Sequence, residues 1–302
     1  MRRAIIHMER RGRRGRSLRS MRPADSLHYV TLGPPDGRPI LFLHGITGSC
    51  RYWQKRVRSL ARDYRLILPD LIGFGRSPKP HVEYTLDLYR ESVRHLVEEL
   101  DLAGRPLILV GHSLGDLIAL EYAARYGDHL DRMALFSLPR FSDPVSAHAV
   151  FWRGSPNYRR LLNEHSLAET LAQMKRSGLE LTLRYIFRFP WSVLIDSHKF
   201  TFKSLTSTIE HCLLNYQIDR VLPRVPPIPT LLIHGEQDSV APLSHVADLP
   251  IRYPYMRLAT LRGTGHHVFL THTKKSLSLL RNFLDEPDKS PQNIDSVIIN
   301  NT

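Results

Sequence analysis

The sequence predicts an α/β fold built on a mostly parallel central sheet with helices on both faces, and three observations carry that expectation. From residue 26 onward, short apolar runs alternate with longer stretches of helical spacing, the signature of βαβ units. The alternation stops at Pro139 and resumes at Ile228, which marks an insertion. The residues equipped for chemistry stand just past the ends of three apolar runs, where an open α/β sheet places its site.

Ser26–Leu32 and Pro39–Leu43 read as strands, separated by the turn residues Gly33-Pro34-Pro35-Asp36-Gly37. Residues 52–62 have helical spacing, and Arg65–Leu68 is a third buried run. The clearest helix covers about 85–102, where Leu86, Tyr89, Val93, Leu96, Val97 and Leu100 recur at three and four and Glu91, Arg94, Glu98 and Glu99 line the other face. The strand Pro106–Val110 leads into a helix near 114–126, and Arg132–Leu138 is a strand again. Residues 140–225 hold 11 of the 26 aromatics and read as a mostly helical insertion, with helical spacing at Ser166–Ser177 and Leu205–Tyr216. Strands Ile228–Ile233 and Met256–Leu261 and a helix over about 268–284 close the pattern. The expected divisions are a basic arm over 1–15, a core over 16–139 and 226–286, the insertion over 140–225, and a polar, frayed tail over 287–302.

Charge divides along the same lines. The formal net charge of +13 lies in the first 22 residues, with nine Arg against one Glu, and in the insertion, with 12 basic against seven acidic side chains. The remainder balances, so the body of the chain is neutral. The arm reads as solvated polar chain that could touch an anionic surface; its last part, Ser17–Met21, could also form a hairpin with Leu27–Leu32. No apolar stretch approaches the roughly 18 residues of a spanning helix. Cys50 and Cys212 match no metal spacing and cannot build a disulfide framework, so a reducing compartment is expected, with cytoplasm as the default and organelle targeting by the Arg-rich terminus as the alternative.

The strand Pro106–Val110 runs into Gly111-His112-Ser113-Leu114-Gly115, a G-x-S-x-G between strand and helix. A serine on so sharp a turn projects its hydroxyl beside a helix amino terminus, whose N–H groups face a developing anion. A serine hydroxyl reacts poorly unless a base takes its proton, so a histidine and an orienting carboxylate should follow. Strand Ile228–Ile233 runs into His234-Gly235-Glu236-Gln237-Asp238, and strand Met256–Leu261 into Arg262-Gly263-Thr264-Gly265-His266-His267. Ser113, Asp238, His266 is the chain order of one class of triad.

Two further segments complete the pattern: His44-Gly45-Ile46-Thr47-Gly48-Ser49 after a strand, and Asp70-Leu71-Ile72-Gly73-Phe74-Gly75-Arg76-Ser77 with D-x-x-G-x-G-x-S spacing. With these motifs the chain resembles the α/β-hydrolase fold superfamily over about residues 17–285. The resemblance implies Ser113 as nucleophile, His266 as general base and acid, Asp238 as the carboxylate that orients it, and the N–H groups of Ile46 and Leu114 as the oxyanion hole. It also implies that residues 140–225 form a cap over the site, with an aromatic-rich lining suited to a partly apolar substrate.

Some positions depart from the family pattern or compete with it. Asp116 stands where many relatives have a second glycine and puts a carboxylate in the first helical turn, a placement that favours the helix dipole. His267 is an alternative base. Asp131 and Asp143 lie near a strand where some relatives keep their acid. His44 and Asp70 read as loop braces, and His112 as the variable position of the turn. His272 with His266 and His267 lacks the spacing of a metal site, and no metal is expected. Gly73-Phe74-Gly75 lacks the third glycine of a dinucleotide fingerprint, so no cofactor is expected, and no module or basic stripe suggests nucleic acid.

The reading that results is a serine hydrolase acting on a carboxylic ester or related acyl bond of a small molecule. Serine at 113 argues against the family's epoxide hydrolases and haloalkane dehalogenases. It does not separate esterase from C–C bond hydrolase, lactonase, thioesterase, lipase or perhydrolase. The reading from another class is a non-catalytic ligand-binding member of the fold. Oligomeric state is not legible.

Overall fold

The computed structural model describes residues 26–154, 199–287 and 299–300. Eight strands among them form one sheet: β1 (Tyr29–Leu32), β2 (Arg38–Leu43), β3 (Tyr64–Pro69), β4 (Leu107–His112), β5 (Leu130–Phe136), β6 (Thr230–Gly235), β7 (Met256–Leu261) and β8 (Ile299–Asn300). Their order is β1-β3-β2-β4-β5-β6-β7-β8. β1 runs antiparallel to β3 and every other pair is parallel.

Parallel strands are covered on both faces, and the period of two sorts their side chains into two cores. Leu41, Leu43, Leu107, Leu109, Met133, Leu135 and Leu232 face one side. Their neighbours Ile40, Phe42, Ile108, Val110, Ala134, Phe136 and Ile233 face the other. The first face is covered by α2 (Leu86–Glu99) and α3 (Leu114–Tyr126). The second is covered by α1 (Arg51–Gln54), a 3-10 segment at Val57–Arg62 and a late helix, and Trp53, Phe136 and Phe269 meet there with centroids 4.7–5.7 Å apart.

α2 begins where the side chain of Thr85 accepts the Leu88 N–H, a cap that satisfies one of the free donors of the first turn. It ends before Asp101, whose φ of 60° reverses the chain. α3 is not amphipathic: every residue from Leu114 to Ala123 is buried. The sheet lies beneath it, and α2 and the turns that end the insertion flank it.

Element boundaries follow the sequence expectations with three differences. Residues 52–62 do not form one helix, because a short α turn followed by a tighter 3-10 segment already buries Tyr52, Trp53, Val57 and Leu60. The last helix is broken at His272, which has non-helical φ −122° and ψ 46°, into α7 (Val268–Thr271) and α8 (Thr273–Asp285), after a short α6 at Leu249–Arg252. In the expected tail, Ile299–Asn300 pairs with β7 in parallel. The arm, the hairpin of Ser17–Met21 and the helical spacing at Ser166–Ser177 lie outside the described residues.

The described parts of the insertion are α4 (Pro144–Gly154), α5 (Phe202–Thr208), a π-helical turn at Ile209–Leu214 and two 3-10 turns. Polar bonds join its returning end to the core. Ser204 Oγ donates to the Gly73 carbonyl at 2.9 Å, Ser207 Oγ accepts the Tyr84 N–H at 2.8 Å, and Tyr89 and Thr208 share a 2.7 Å hydroxyl pair. Arg140 at its start bonds Asp219 near its end, and also Asp248. Neither Cys50 nor Cys212 is in a disulfide.

Candidate active site

Parallel register brings the carboxyl ends of four strands, β4 to β7, level: His112 pairs with Phe136, Phe136 with Ile233, and Gly235 with Leu261. Ser113 directly follows β4, Asp238 follows β6 by three residues and His266 follows β7 by five. Residues far apart in sequence therefore meet at one edge.

Ser113 has φ 55° and ψ −113°, a left-handed conformation that a non-glycine residue adopts at a cost. Its N–H donates to the Phe136 carbonyl at 3.0 Å, which holds the turn in place. The flanking glycines are needed for close approach. A Cβ on Gly115 would stand 2.3 Å from the Leu43 carbonyl oxygen, and one on Gly111 would stand 2.4 Å from Asp116 Oδ1.

His266 Nε2 lies 3.0 Å from Ser113 Oγ, and His266 Nδ1 lies 2.9 and 3.2 Å from the two carboxylate oxygens of Asp238. An ionised carboxylate only accepts, so the proton sits on Nδ1 and leaves Nε2 to accept from the serine hydroxyl. Asp238 Oδ1 also takes the N–H groups of Val240 and Ala241 at 2.9 and 2.8 Å. Burial works to raise the pKa of Asp238, but His266 opposite it and the Ala241 N–H outweigh burial and hold it below the ordinary carboxylate value. Ser113 and Asp238 are buried, while the His266 side chain keeps 13% exposure.

The two backbone positions expected to face an oxyanion are those of Leu114 and Ile46. Leu114 opens α3, so its N–H has no intrahelical acceptor. Ile46 lies in a turn closed by the Gly48 N–H on the Gly45 carbonyl at 3.0 Å, with Thr47 at φ 57°. His44 braces that turn: one ring nitrogen meets the Gly45 carbonyl at 2.7 Å and the other accepts the Leu71 N–H at 2.8 Å. Asp70 braces the next loop, accepting from Cys50 and Arg76 N–H groups at 2.6 and 2.7 Å.

Several competing residues fall elsewhere. His266 rather than His267 has its ring between Ser113 and Asp238; His267 precedes α7, where its carbonyl accepts the Leu270 N–H. Asp131 is the second residue of β5, at the end of the sheet away from Ser113, and pairs with Arg38. Asp143 accepts the Ser146 N–H at 2.8 Å at the start of α4. Asp116 differs from the sequence expectation of a charge on the helix dipole. It is fully buried, one oxygen accepts the Phe136 N–H at 3.2 Å, and the other has no hydrogen bond among the described residues. Burial raises its pKa well above the ordinary value, which works against the charge expected on the helix dipole.

The residue that sequence reasoning passed over is His112, whose Nε2 reaches the His266 carbonyl at 3.0 Å. Among the described residues, the His, Cys and acidic side chains whose ligand atoms converge are His28, Cys50 and Asp70, within 4.8 Å of one another. Asp70 already serves two backbone donors, and the Arg76 guanidinium stands 3.5 Å from His28 Nε2, an arrangement that opposes a cation. No helix among the described residues is long and apolar enough to cross a membrane.

A profile of the alpha/beta hydrolase fold matches residues 38–273. The chain is 27% identical over 271 residues to the AB hydrolase superfamily protein YisY of Bacillus subtilis, covering 84% of this chain and 96% of that protein. It is 27% identical over 264 residues to a 2-hydroxymuconate semialdehyde hydrolase of Pseudomonas sp., covering 83% and 88%. Among solved structures, a thermophilic esterase from Thermogutta terrifontis superposes with a TM-score of 0.67 at 20% identity, covering 85% of this chain and 92% of that one.

Proposed function

The chain belongs to the α/β-hydrolase fold family, and from that premise we propose that it is a serine hydrolase that cleaves a carboxylic ester or related acyl bond of a small, partly apolar molecule. The observation that carries this reading is the 3.0 Å contact of His266 Nε2 with Ser113 Oγ, with Nδ1 held by Asp238. A bare serine hydroxyl is a poor nucleophile; one whose proton has an acceptor in line is not.

Ser113 Oγ adds to the carbonyl carbon as its proton passes to His266 Nε2, and the carbonyl π pair becomes the oxyanion. The N–H groups of Ile46 and Leu114 stabilise that charge. The imidazolium, balanced by Asp238, then protonates the leaving oxygen as the tetrahedral centre collapses to an acyl-serine. Water, deprotonated by the same nitrogen, adds to the acyl carbon. Collapse expels Ser113 Oγ, which recovers its proton, and the acid departs. Each step uses this chain's own side chains, main-chain donors and water.

p-Nitrophenyl esters of increasing acyl length, assayed beside lactone and C–C hydrolase substrates, test the substrate class. Turnover of the esters that Ser113→Ala abolishes supports the ester reading. Ser113-dependent turnover confined to a C–C substrate would replace it with the carbon–carbon reading.

A further inference from the structure

His112 reaches all three loops of the site. Its main chain ends β4 and precedes Ser113. Its ring fills the space over Gly45 in the oxyanion-side turn, where a Cβ would stand 2.7 Å from His112 Nδ1 and 3.2 Å from its Cε1. Its Nε2 meets the His266 carbonyl at 3.0 Å, across 154 residues of sequence. A carbonyl oxygen only accepts, so the ring carries its proton on Nε2, and Nδ1 has no hydrogen-bond partner among the described residues. The rings of Tyr52 and His267 stack against it, at 4.6 Å and 22° and at 5.2 Å and 30°.

The loop that His112 holds is tied at Thr264, whose hydroxyl meets that of Thr271 at 2.6 Å, and by the bonds of the His266 ring to Ser113 and Asp238. Gly263 sits at φ 68° with nothing within 4 Å of a Cβ built on it, and the nearest atom to a Cβ on Gly265 is 3.4 Å away. The Gln237 N–H on the Thr264 carbonyl ties the loop on one side. The donor from His112 ties it at the residue that faces Ser113.

We propose that His112 is a positioning residue of this site: its Nε2–H fixes the main chain of His266 and so sets where that imidazole stands between Ser113 and Asp238. The purpose of that placement rests on the serine-hydrolase reading; the hydrogen bond and its effect on His266 do not. Packing alone and donation alone predict opposite orders among variants. Phe fills the ring volume with no donor, whereas Gln places an N–H at about the reach of Nε2 and Asn one nearer Nδ1.

The test compares the full chain with His112→Phe, His112→Asn and His112→Gln in two readouts. One is the rate of phosphonylation of Ser113 by a fluorophosphonate; the other is the tautomer and titration of His266 by 15N NMR, with thermal melting to establish folding. A misplacement of the base by a fraction of an ångström to 1 Å should slow phosphonylation by about 10- to 100-fold in the Phe and Asn variants and leave the Gln variant within about threefold of wild type. The His266 resonances should shift in the first two variants and return in the third. If the Phe variant does not fold, the Asn variant carries the comparison. If wild type is not phosphonylated while His266 still follows the donor, the hydrolase reading fails and the positioning role stands. If Phe equals wild type or Gln is no better than Asn in the NMR readout, the proposal is overturned.

Discussion

Asp116 Oδ1 accepts the main-chain N–H of Phe136 at 3.2 Å and so ties the first turn behind Ser113 to the carboxyl end of β5. The same oxygen occupies the space that Gly111 leaves by having no side chain. The glycine and the acid therefore fit as a pair. Burial penalises the charge of this acid and raises its pKa well above the ordinary value.

That relationship predicts how stability should vary with pH. An acid whose folded pKa is raised binds its proton more tightly when folded. Its share of stability is whole below the unfolded value near ~3.9 and is lost as pH rises through the folded value. Asp116→Asn removes this loss. The variant should gain on wild type as pH rises from 4 to 8. Urea unfolding at several pH values checks it, and a gap that does not grow with pH would show Asp116 to be charged in the fold.

Asp238 behaves in the opposite sense. Its folded pKa is depressed, so its contribution is present above the unfolded value near ~3.9 and is lost as pH falls through the folded one. Asp238→Asn should cut kcat on a p-nitrophenyl ester by roughly 10⁴-fold, because the wrong nitrogen of His266 then carries the proton. KM should change by less than about threefold. Equal losses in kcat and 1/KM would point to a substrate-binding role instead.

Two glycines offer a contrast in stability. Gly115→Ala would push a methyl to 2.3 Å from the Leu43 carbonyl oxygen, a main-chain atom that cannot swing aside. Thermal melting should show a loss of roughly 1–3 kcal/mol or more. Gly104 is exposed and has nothing within 4 Å of the added carbon, so Gly104→Ala should be neutral or stabilising by about 0.4–1 kcal/mol.

The contrast also shows which parts of the molecule the sequence discloses. The strands were legible as continuous apolar runs such as Ile40–Leu43, because they are buried on both faces, and α2 was legible by the 3.6 period of Leu86–Val97, which follows from its one buried face. Ser113, Asp238 and His266 were legible as candidates because each follows an apolar run. The split at His272 was not, since the apolar spacing of Phe269, Leu280 and Phe283 runs across it unbroken. Nor was the role of His112, whose partner is a main-chain oxygen that leaves no trace in residue identity. The raised pKa of Asp116 depends on complete burial, which only the packed fold supplies.

His112 also predicts acid sensitivity. Burial, with His266, His267 and His44 nearby, lowers its pKa well below the ordinary histidine value despite the His266 carbonyl it donates to. Its contribution to stability is therefore whole above the unfolded value near ~6.5 and is lost as pH falls below that toward the folded value. His234 and His129 are shifted the same way and remain in every variant. The difference in melting temperature between wild type and His112→Gln should thus move in favour of the variant between pH 7 and 5. Parallel melting curves across that range would show His112 to be charged in the fold.

Covalent capture asks whether Ser113 is a nucleophile driven by His266. Incubation with a fluorophosphonate followed by mass spectrometry of the digested chain should place one adduct on the peptide that contains Ser113. The adduct should be absent in Ser113→Ala and form at least about 100-fold more slowly in His266→Ala. A folded wild-type protein that takes up no probe, or takes it up equally after Ser113→Ala, would show that Ser113 is not the nucleophile.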